Sequence, residues 1–193
     1  MAGIGLQYNV YSPLTEDEAA GTFSYGTGKR GRRMMKADVK INRTNSKLFS
    51  DDVESENVDE FTDGTITTTQ DEFTDDMCVD LLGNTKTTVT VGEKSVEEVA
   101  SKDTDNPPYV GYGYIKTVIV DKVRKYRAFF YTKVQFSEPD ESSETKGQNI
   151  SWQTPVIIGT IMRRVDGKWR ERATCPDLPT AIAWLKDKAN ITP

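Results

Sequence analysis

The sequence contains no histidine, and Cys78 and Cys175 are its only cysteines in 193 residues. The absence of histidine excludes His-based catalytic triads, His-activated cysteine nucleophiles and His-ligated zinc. Two thiols do not make a disulfide framework, and their places in a helix pattern and at a strand end predict packing roles. We therefore expect no metal ion or other cofactor.

Long apolar runs are also missing, since none approaches the roughly 20 residues of a membrane-spanning helix. The N-terminal segment MAGIGLQYNVYSPL has no basic region followed by an apolar block, unlike a signal peptide. We expect a protein that is made and folded in a cytoplasm and has no membrane partner. Its apolar fraction of 36% is low for a self-contained enzyme, which indicates long loops or burial between subunits.

The longest regular pattern is a period of two that begins at Lys125 and predicts a central strand. Its alternate residues form one apolar row: Tyr126, Ala128, Phe130, Thr132, Val134 and Phe136. A second strand, from Ile150 to Ile161, follows an acidic loop over residues 137–147. Pro155 has no N–H to donate, so we predict that this strand is bulged or lies at an edge.

The rest of the chain reads mainly as strands. We predict a first strand at Ile4–Tyr11 that ends at Ser12-Pro13, followed by a long loop from Thr15 to Gly31. Further strands are predicted at Met34–Thr44, Gly64–Gln70, Thr87–Val91, Tyr109–Val120 and Lys168–Thr174, with a turn at Asp121-Lys122.

Two segments have helical periodicity. One lies near residues 72–82, with Asp71 or Thr74 at its start and Gly83 after its end. The other lies near residues 178–189, with Pro179 in its first turn. The predicted fold class is α+β and mainly β: an antiparallel β-sandwich or partial barrel in one domain over residues 1–193.

Charge is segregated along the first half of the chain. Residues 29–47 contain eight basic residues and one acidic residue, whereas residues 48–85 contain twelve acidic residues and no basic one. These stretches could be two solvated surfaces, or a basic arm that docks on an acidic surface of a neighbouring copy. A nucleic-acid site is disfavoured by the net charge of −5, and the glycine-rich tip at residues 26–33 lacks the P-loop spacing.

A set of short motifs follows in order along nearly the whole chain. The pieces are Leu48–Asp52, Gly64–Thr67, Leu81–Gly83, Phe136–Pro139, Thr145–Gly147, Gln153–Pro155, Gly159-Thr160, Asp166–Trp169 and a terminal helix around Trp184. In their order and spacing these pieces resemble the major tail proteins of long-tailed, non-contractile bacteriophages of Gram-positive hosts. It is the order and spacing, and no single piece, that are specific.

This resemblance implies a virion protein of the tail: a tube subunit that forms hexameric rings, stacked into a hollow tube. Such a tube conducts double-stranded DNA without binding it specifically, contains a tape-measure protein, and joins tail-tip and tail-terminator proteins. The long loop or arm near residues 15–35 would make intersubunit contacts, with Lys29, Arg30, Arg32 and Arg33 as the expected contact residues. Expected residues of an acidic lumen or interface are Asp51, Asp52, Glu54, Glu56, Asp59 and Glu60.

Two other functions remain open from the residues alone. Tyr109, Tyr112 and Tyr114, interleaved with Gly111 and Gly113, could form a stacking platform in a carbohydrate-binding or adhesion module, although such a pattern more often packs in a twisted strand. A carboxylate-dependent hydrolase or lyase would need a cleft with a paired acid and base. The missing histidine and signal peptide disfavour both functions.

Overall fold

The structure, a computed structural model, describes residues 2–50, 53–139 and 154–192. These residues form two short helices and eleven strands. The strands are β1 (Ala2–Asp17), β2 (Thr22–Tyr25), β3 (Lys29–Arg30), β4 (Met34–Ser50), β5 (Val53–Gln70), β6 (Thr85–Val91), β7 (Lys94–Ala100), β8 (Val110–Val120), β9 (Val123–Ser137), β10 (Val156–Met162) and β11 (Arg170–Cys175).

Nine strands form one antiparallel sheet that folds over into two layers. Its order is β2-β1-β8-β9-β10-β5-β4, with β11 paired to β9 and β3 paired to β1. Strands β6 and β7 form a separate two-stranded hairpin. The predicted class, an α+β and mainly β antiparallel sandwich, is therefore confirmed.

Strand β9 belongs to both layers, because it changes partner partway along its length. Its first part pairs with β11 up to Tyr131, and its last part pairs with β10 from Lys133. At the change, Thr132 and Lys133 lie opposite the single residue Gly111, which is a β-bulge. The Thr132 N–H and hydroxyl donate to the carbonyls of Trp169 and Lys168, at 3.2 and 2.7 Å.

The bulge corrects the prediction of one apolar row along β9. A bulge reverses the alternation of side chains, so Ala128 and Phe130 face one core while Val134 and Phe136 face the other. The first core lies between the two layers. The second core lies between the β1-β8-β9 layer and the C-terminal helix α2 (Leu178–Lys188).

Two glycines of β8 permit close packing on the face towards the second core: Gly113 lies beneath α2, and Gly111 lies against aromatic rings. A Cβ at Gly113 would lie 2.8 Å from a Leu185 methyl group, and one at Gly111 would lie 2.5 Å from the Phe130 ring. On the opposite face of β8, Tyr112 and Tyr114 are buried in the first core. The tyrosine cluster thus has a packing role, and only Tyr109 is substantially exposed.

The N-terminal region differs from the prediction of a strand that ends at Pro13 and a long free loop. Strand β1 continues to Asp17, since the fixed φ of proline suits an extended chain and the Pro13 carbonyl accepts from Gly26 N–H at 2.9 Å. Residues 18–31 then contain the strands β2 and β3, both paired with β1. The predicted arm is folded onto its own sheet.

A buried charged cluster holds the β1–β2 hairpin in this position. Glu16 forms an almost fully buried ion pair with Lys133, and it also accepts from Val165 N–H at 2.7 Å. Beside it, the Arg164 guanidinium donates to Tyr25 Oη at 2.9 Å and forms two hydrogen bonds with Asp166. The hairpin is therefore fixed to the turn at residues 163–168.

Pro155 also lies in a different setting from the one predicted. Strand β10 lies between β9 and β5, so it is not an edge strand. Pro155 immediately precedes β10, where its missing N–H removes no ladder bond, and its carbonyl accepts from Gln70 N–H at 3.2 Å. Residues 150–153, predicted as the start of this strand, lie outside the described residues.

Both predicted helices are present, one with an unexpected geometry. The first, α1, is a single α-turn at Asp75–Met77 that continues as a π-helix at Cys78–Leu82. Thr74 caps its start, and Gly83 ends it with a φ of 79°. The second, α2, begins after Asp177, whose carboxylate accepts from Thr180 N–H at 2.8 Å.

The close packing of α2 on β8 makes a specific stability prediction. We expect Gly113→Ala to lower the free energy of unfolding by about 1–3 kcal/mol, because the added Cβ meets Leu185 and the Phe129 carbonyl. Gly5→Ala is the matched control, since a Cβ at Gly5 has no atom within 4 Å. Urea denaturation measures both, and equal unfolding midpoints would contradict this account of the packing.

The Arg164–Asp166 pair predicts a pH dependence of stability. Hydrogen bonding to Arg164 lowers the pKa of Asp166 from its ordinary 3.8 to about 2. A lowered folded-state pKa stabilises the fold above pH 4, and this contribution, about 2 kcal/mol, is lost as the pH falls from about 4 to about 2. We expect Asp166→Asn to be less stable than wild type at pH 6, and this difference to fall to roughly a third of its size at pH 2.5.

Asp187→Asn is the control for this measurement, because it removes one exposed carboxylate from α2. A constant stability difference between Asp166→Asn and wild type across the pH range would show that the ion pair does not account for the effect.

Candidate functional site: the two ends of the β4–β5 hairpin

The longest feature of the fold is the hairpin of β4 and β5, which extends beyond the sheet. The β10 partner of β5 ends at the pair Gly64–Ile161, so the hairpin beyond that point is two-stranded. We call this part, Asn42–Ser50 with Val53–Asp63, the ribbon. Its paired length, from Arg43 to Ser50, is roughly 25 Å at about 3.3 Å per residue. Two-stranded hairpins are marginally stable in water unless something covers them.

The root of the ribbon is firmly attached to the body. Phe61 stacks on Trp169 with ring centroids 4.5 Å apart and planes 2° from parallel. The Arg163 guanidinium donates to the Phe61 carbonyl at 2.8 Å. The ribbon is therefore held in one direction at its base, and farther out its two strands pair with each other.

Four of the six acidic residues predicted for a lumen or interface lie on the ribbon. Asp59 forms an ion pair with Arg43 at 2.7 Å, whereas Glu60 is exposed and has no such partner among the described residues. Glu54 and Glu56 lie on β5 by their backbone positions. Asp51 and Asp52 lie outside the described residues. The structure thus places the four described residues on one strand of the ribbon, with Asp59 and Glu60 near its root.

The predicted basic contact residues lie at the other end of the same hairpin. Arg33 immediately precedes β4 and Asp71 immediately follows β5, and the Asp71 N–H donates to the Arg33 carbonyl at 3.0 Å. A surface depression here is lined by Arg30, Gly31, Arg32, Arg33 and Asp71. We call it the arginine recess.

The three guanidinium groups of the arginine recess have different surroundings. Arg32 forms an ion pair with Glu72, and both side chains are about half exposed. The Arg30 guanidinium lies 4.8 Å from the centroid of the Tyr8 ring. Arg33 is exposed and has no carboxylate partner among the described residues. Such exposed pairs contribute about 0–1 kcal/mol each, so the recess keeps most of its positive charge available.

Lys29 differs from the three arginines because it forms an ion pair with a less exposed carboxylate of its own chain. Its ammonium group lies 2.7 Å from Asp80, which also accepts from the Tyr11 hydroxyl at 2.9 Å. Burial and the Asp80 carboxylate raise the pKa of Tyr11. Some residues of the basic stretch therefore form ion pairs with residues of the acidic stretch in the same copy. Sequence reasoning missed these partners, since Asp80 and Glu72 are distant from Lys29 and Arg32 along the chain.

Two further surfaces of the described chain lack a covering layer. The outer edge of β4 is unpaired over residues 34–41, because β4 is the terminal strand of the sheet order. On the outer face of the same layer, Val156 and Ile158 are 42% and 46% exposed beside the threonines of β5. Both surfaces provide groups that another chain could contact.

The described residues contain no group of three or more Asp, Glu, Cys or His side chains placed to hold a metal ion. Asp76 and Asp166 have lowered pKa values, from hydrogen bonds to Lys86 and Arg164, which is the reverse of what a general acid needs. Neither described helix has the length and apolar character of a membrane span.

Comparison with known proteins adds no assignment. No protein-family model matches this chain, and a search of curated proteins finds no significant match.

The ribbon predicts a difference in local stability along single strands. We expect backbone amides at Thr44, Asn45, Asp59 and Glu60 to exchange with solvent at least about a hundredfold faster than those at Thr67 and Thr68. The physical reason is that the first group lies where only two strands pair, and opening costs roughly 3 kcal/mol less there. Native-state hydrogen exchange of the dilute protein measures this. Equal protection along β5 would contradict the two-stranded ribbon.

Proposed function

We propose that this protein is a structural subunit that polymerises, and specifically the tail tube subunit of a long-tailed bacteriophage. The ordered sequence motifs that resemble major tail proteins support this assignment. In it, six copies form a ring and rings stack into a hollow tube that conducts double-stranded DNA. The protein would be located in the virion tail after synthesis in the host cytoplasm.

The single observation that carries the proposal is the uncovered ribbon. A two-stranded hairpin that extends roughly 25 Å from the body buries little of its own surface. In a monomer such an element adds little stability. In a polymer it can bury its surface against a neighbouring copy. The unpaired outer edge of β4 has the same implication, because sheets that close around a ring conceal edge strands that would otherwise aggregate.

Exposed apolar side chains on several surfaces support burial between copies. Met35 beside the β4 edge is 62% exposed, Val58 on the ribbon is 51% exposed, and Val91 on the β6–β7 hairpin is 65% exposed. Single exposed apolar residues are ordinary on any protein. The three named here lie on the β4 edge, the ribbon and the β6–β7 hairpin, where contacts between copies would cover them.

The proposed role of the tube towards DNA is passive. The net charge of −5 per subunit repels a polyanion, over a Debye length of about 8 Å at physiological salt. DNA would pass without specific contacts, and the tape-measure protein would occupy the lumen before ejection. Tail-tip and tail-terminator proteins would contact the two ends of the tube.

The alternative function as a carbohydrate-binding module has little support in the geometry. Tyr112 and Tyr114 are 0% and 6% exposed, so they offer no platform on which a sugar could stack. Tyr109 is exposed, but the Lys133 ammonium lies 4.3 Å from its ring centroid.

We expect the purified, concentrated protein to form hollow rods or six-fold rings in negative-stain electron microscopy. The matched variant replaces residues 45–59 by Asn-Gly, which keeps the pairs Arg43–Phe61 and Thr44–Glu60 and closes them with a favoured two-residue turn. We expect this variant to fold, as judged by circular dichroism and thermal unfolding, and to stay monomeric.

Rods formed equally well by the shortened variant would show that the ribbon is not an assembly element. Small monodisperse particles from wild type, unchanged when tail-tip and tape-measure proteins are added, would contradict the proposed function itself.

A further inference from the structure

One face of the β8–β9–β11 sheet carries a group of cationic side chains beside the first core. In antiparallel strands, residues that lie directly opposite each other present their side chains on the same face. By this rule the face on which Phe129 and Tyr131 pack into the first core also carries five basic residues. They are Lys116, Lys125, Arg127, Arg170 and Arg172, and we call them the basic face.

No acidic residue of these strands shares the basic face. Strands β8 and β9 contain no Asp or Glu, and Glu171 is the only one in β11. Glu171 lies opposite Phe130 on the other face, where it forms ion pairs with Arg164 and Lys188. Lys116 and Arg172 are exposed, and no described carboxylate pairs with either. In a chain of net charge −5, this surface attracts anions.

Strand β11 is also an edge strand, because β9 is its only partner among the described strands. The Trp169 carbonyl accepts from the Thr132 N–H at 3.2 Å, which is the bond that flanks a non-hydrogen-bonded pair at Arg170–Tyr131. Alternate residues of β11, from Arg170 through Arg172 to Thr174, therefore direct their N–H and C=O groups away from β9. An added strand can pair with these groups.

We propose that β11 binds an extended acidic segment of a partner protein, which adds as a further strand at the outer edge of β11. Acidic residues at alternate positions of that segment lie opposite Arg170 and Arg172, on the same face as the basic face. Arginine suits this role because its planar donor group pairs with a carboxylate through two hydrogen bonds. The site goes beyond the proposed function, since a single subunit is enough to form it.

A nucleic acid fits this surface less well than an acidic peptide does. The rings beside the basic face offer no stacking platform, because Tyr114 is 6% exposed and Trp169 is occupied by Phe61 and Arg170. The edge of β11 presents carbonyl oxygens as well as N–H groups, and phosphate oxygens can only accept. A peptide backbone satisfies both kinds of group.

Two synthetic peptides of identical composition test the spacing that an added strand requires. One alternates as six Glu-Thr repeats, and the other has three Glu-Glu-Thr-Thr repeats, each with an N-terminal fluorophore. Fluorescence anisotropy with dilute full-length protein measures binding. We expect the alternating peptide to bind about tenfold more tightly, the equivalent of about 1.4 kcal/mol, and to weaken as salt is raised. Equal affinities would contradict the added strand.

Matched variants separate the charge from the strand edge. We expect Arg172→Glu to weaken binding of the alternating peptide about tenfold, whereas Lys94→Glu, the same change at an exposed residue of β7, leaves it unchanged. Thr174→Pro removes an outward N–H and should weaken binding about tenfold relative to Thr174→Ala, which loses the same hydroxyl. Circular dichroism and thermal unfolding check that each variant is folded. Arg172→Glu that binds like wild type, or Thr174→Pro no weaker than Thr174→Ala, would overturn the proposal.

Other occupants of the edge give distinct results. A single-stranded oligodeoxynucleotide that binds more tightly than the alternating peptide, and loses affinity in Arg172→Glu, would assign the surface to nucleic acid instead. Dimerisation of the wild type in sedimentation equilibrium, abolished by Arg172→Glu, would assign it to a second copy of this chain. All of these measurements use dilute protein, so they stand whether or not the protein polymerises.

Discussion

The whole arrangement depends on the sharing of β9 between two layers. Up to Tyr131 this strand pairs with β11, and from Lys133 it pairs with β10. The bulge at Thr132 reverses which side chains face which core, so one strand supplies Phe130 beneath α2 and Phe136 between the sheets. Because the two layers diverge here, β10 carries β5 and β4 away from α2. The direction of the ribbon is thus set by a hydrogen-bonded threonine far from its tip.

The buried charges have a similar role at the opposite edge. Glu16, Lys133 and Arg164 are almost fully buried, and each has a charged or hydroxyl partner within the chain. Breaking such a pair leaves an uncompensated buried charge, which costs more than the pair itself contributes. These contacts hold the N-terminal segment against its own sheet and place Arg30, Arg32 and Arg33 at the base of β4. A sequence that resembles a free arm therefore forms a fixed surface.

Sequence reasoning predicted what local chemistry determines. The turn at Asp121-Lys122 has both residues at positive φ, the helix α2 has Pro179 in its first turn, and Gly83 ends the first helix with a φ of 79°. Sequence reasoning missed the features that depend on which strands lie side by side. Nothing near Thr132 in the sequence marks a bulge, because the bulge arises where β9 changes its partner strand from β11 to β10. The acidic partners of Lys29 and Arg32 could not be assigned for the same reason, since pairing of β3 with β1 brings Asp80 close to Lys29.

The uncovered surfaces raise the question of how a free subunit avoids random aggregation. The outer edge of β4 carries Lys36, Asp38 and Lys40 on its exposed face, and charges on an edge strand oppose indiscriminate pairing. The ribbon carries an excess of acidic residues, so two ribbons repel each other and only a basic surface attracts them.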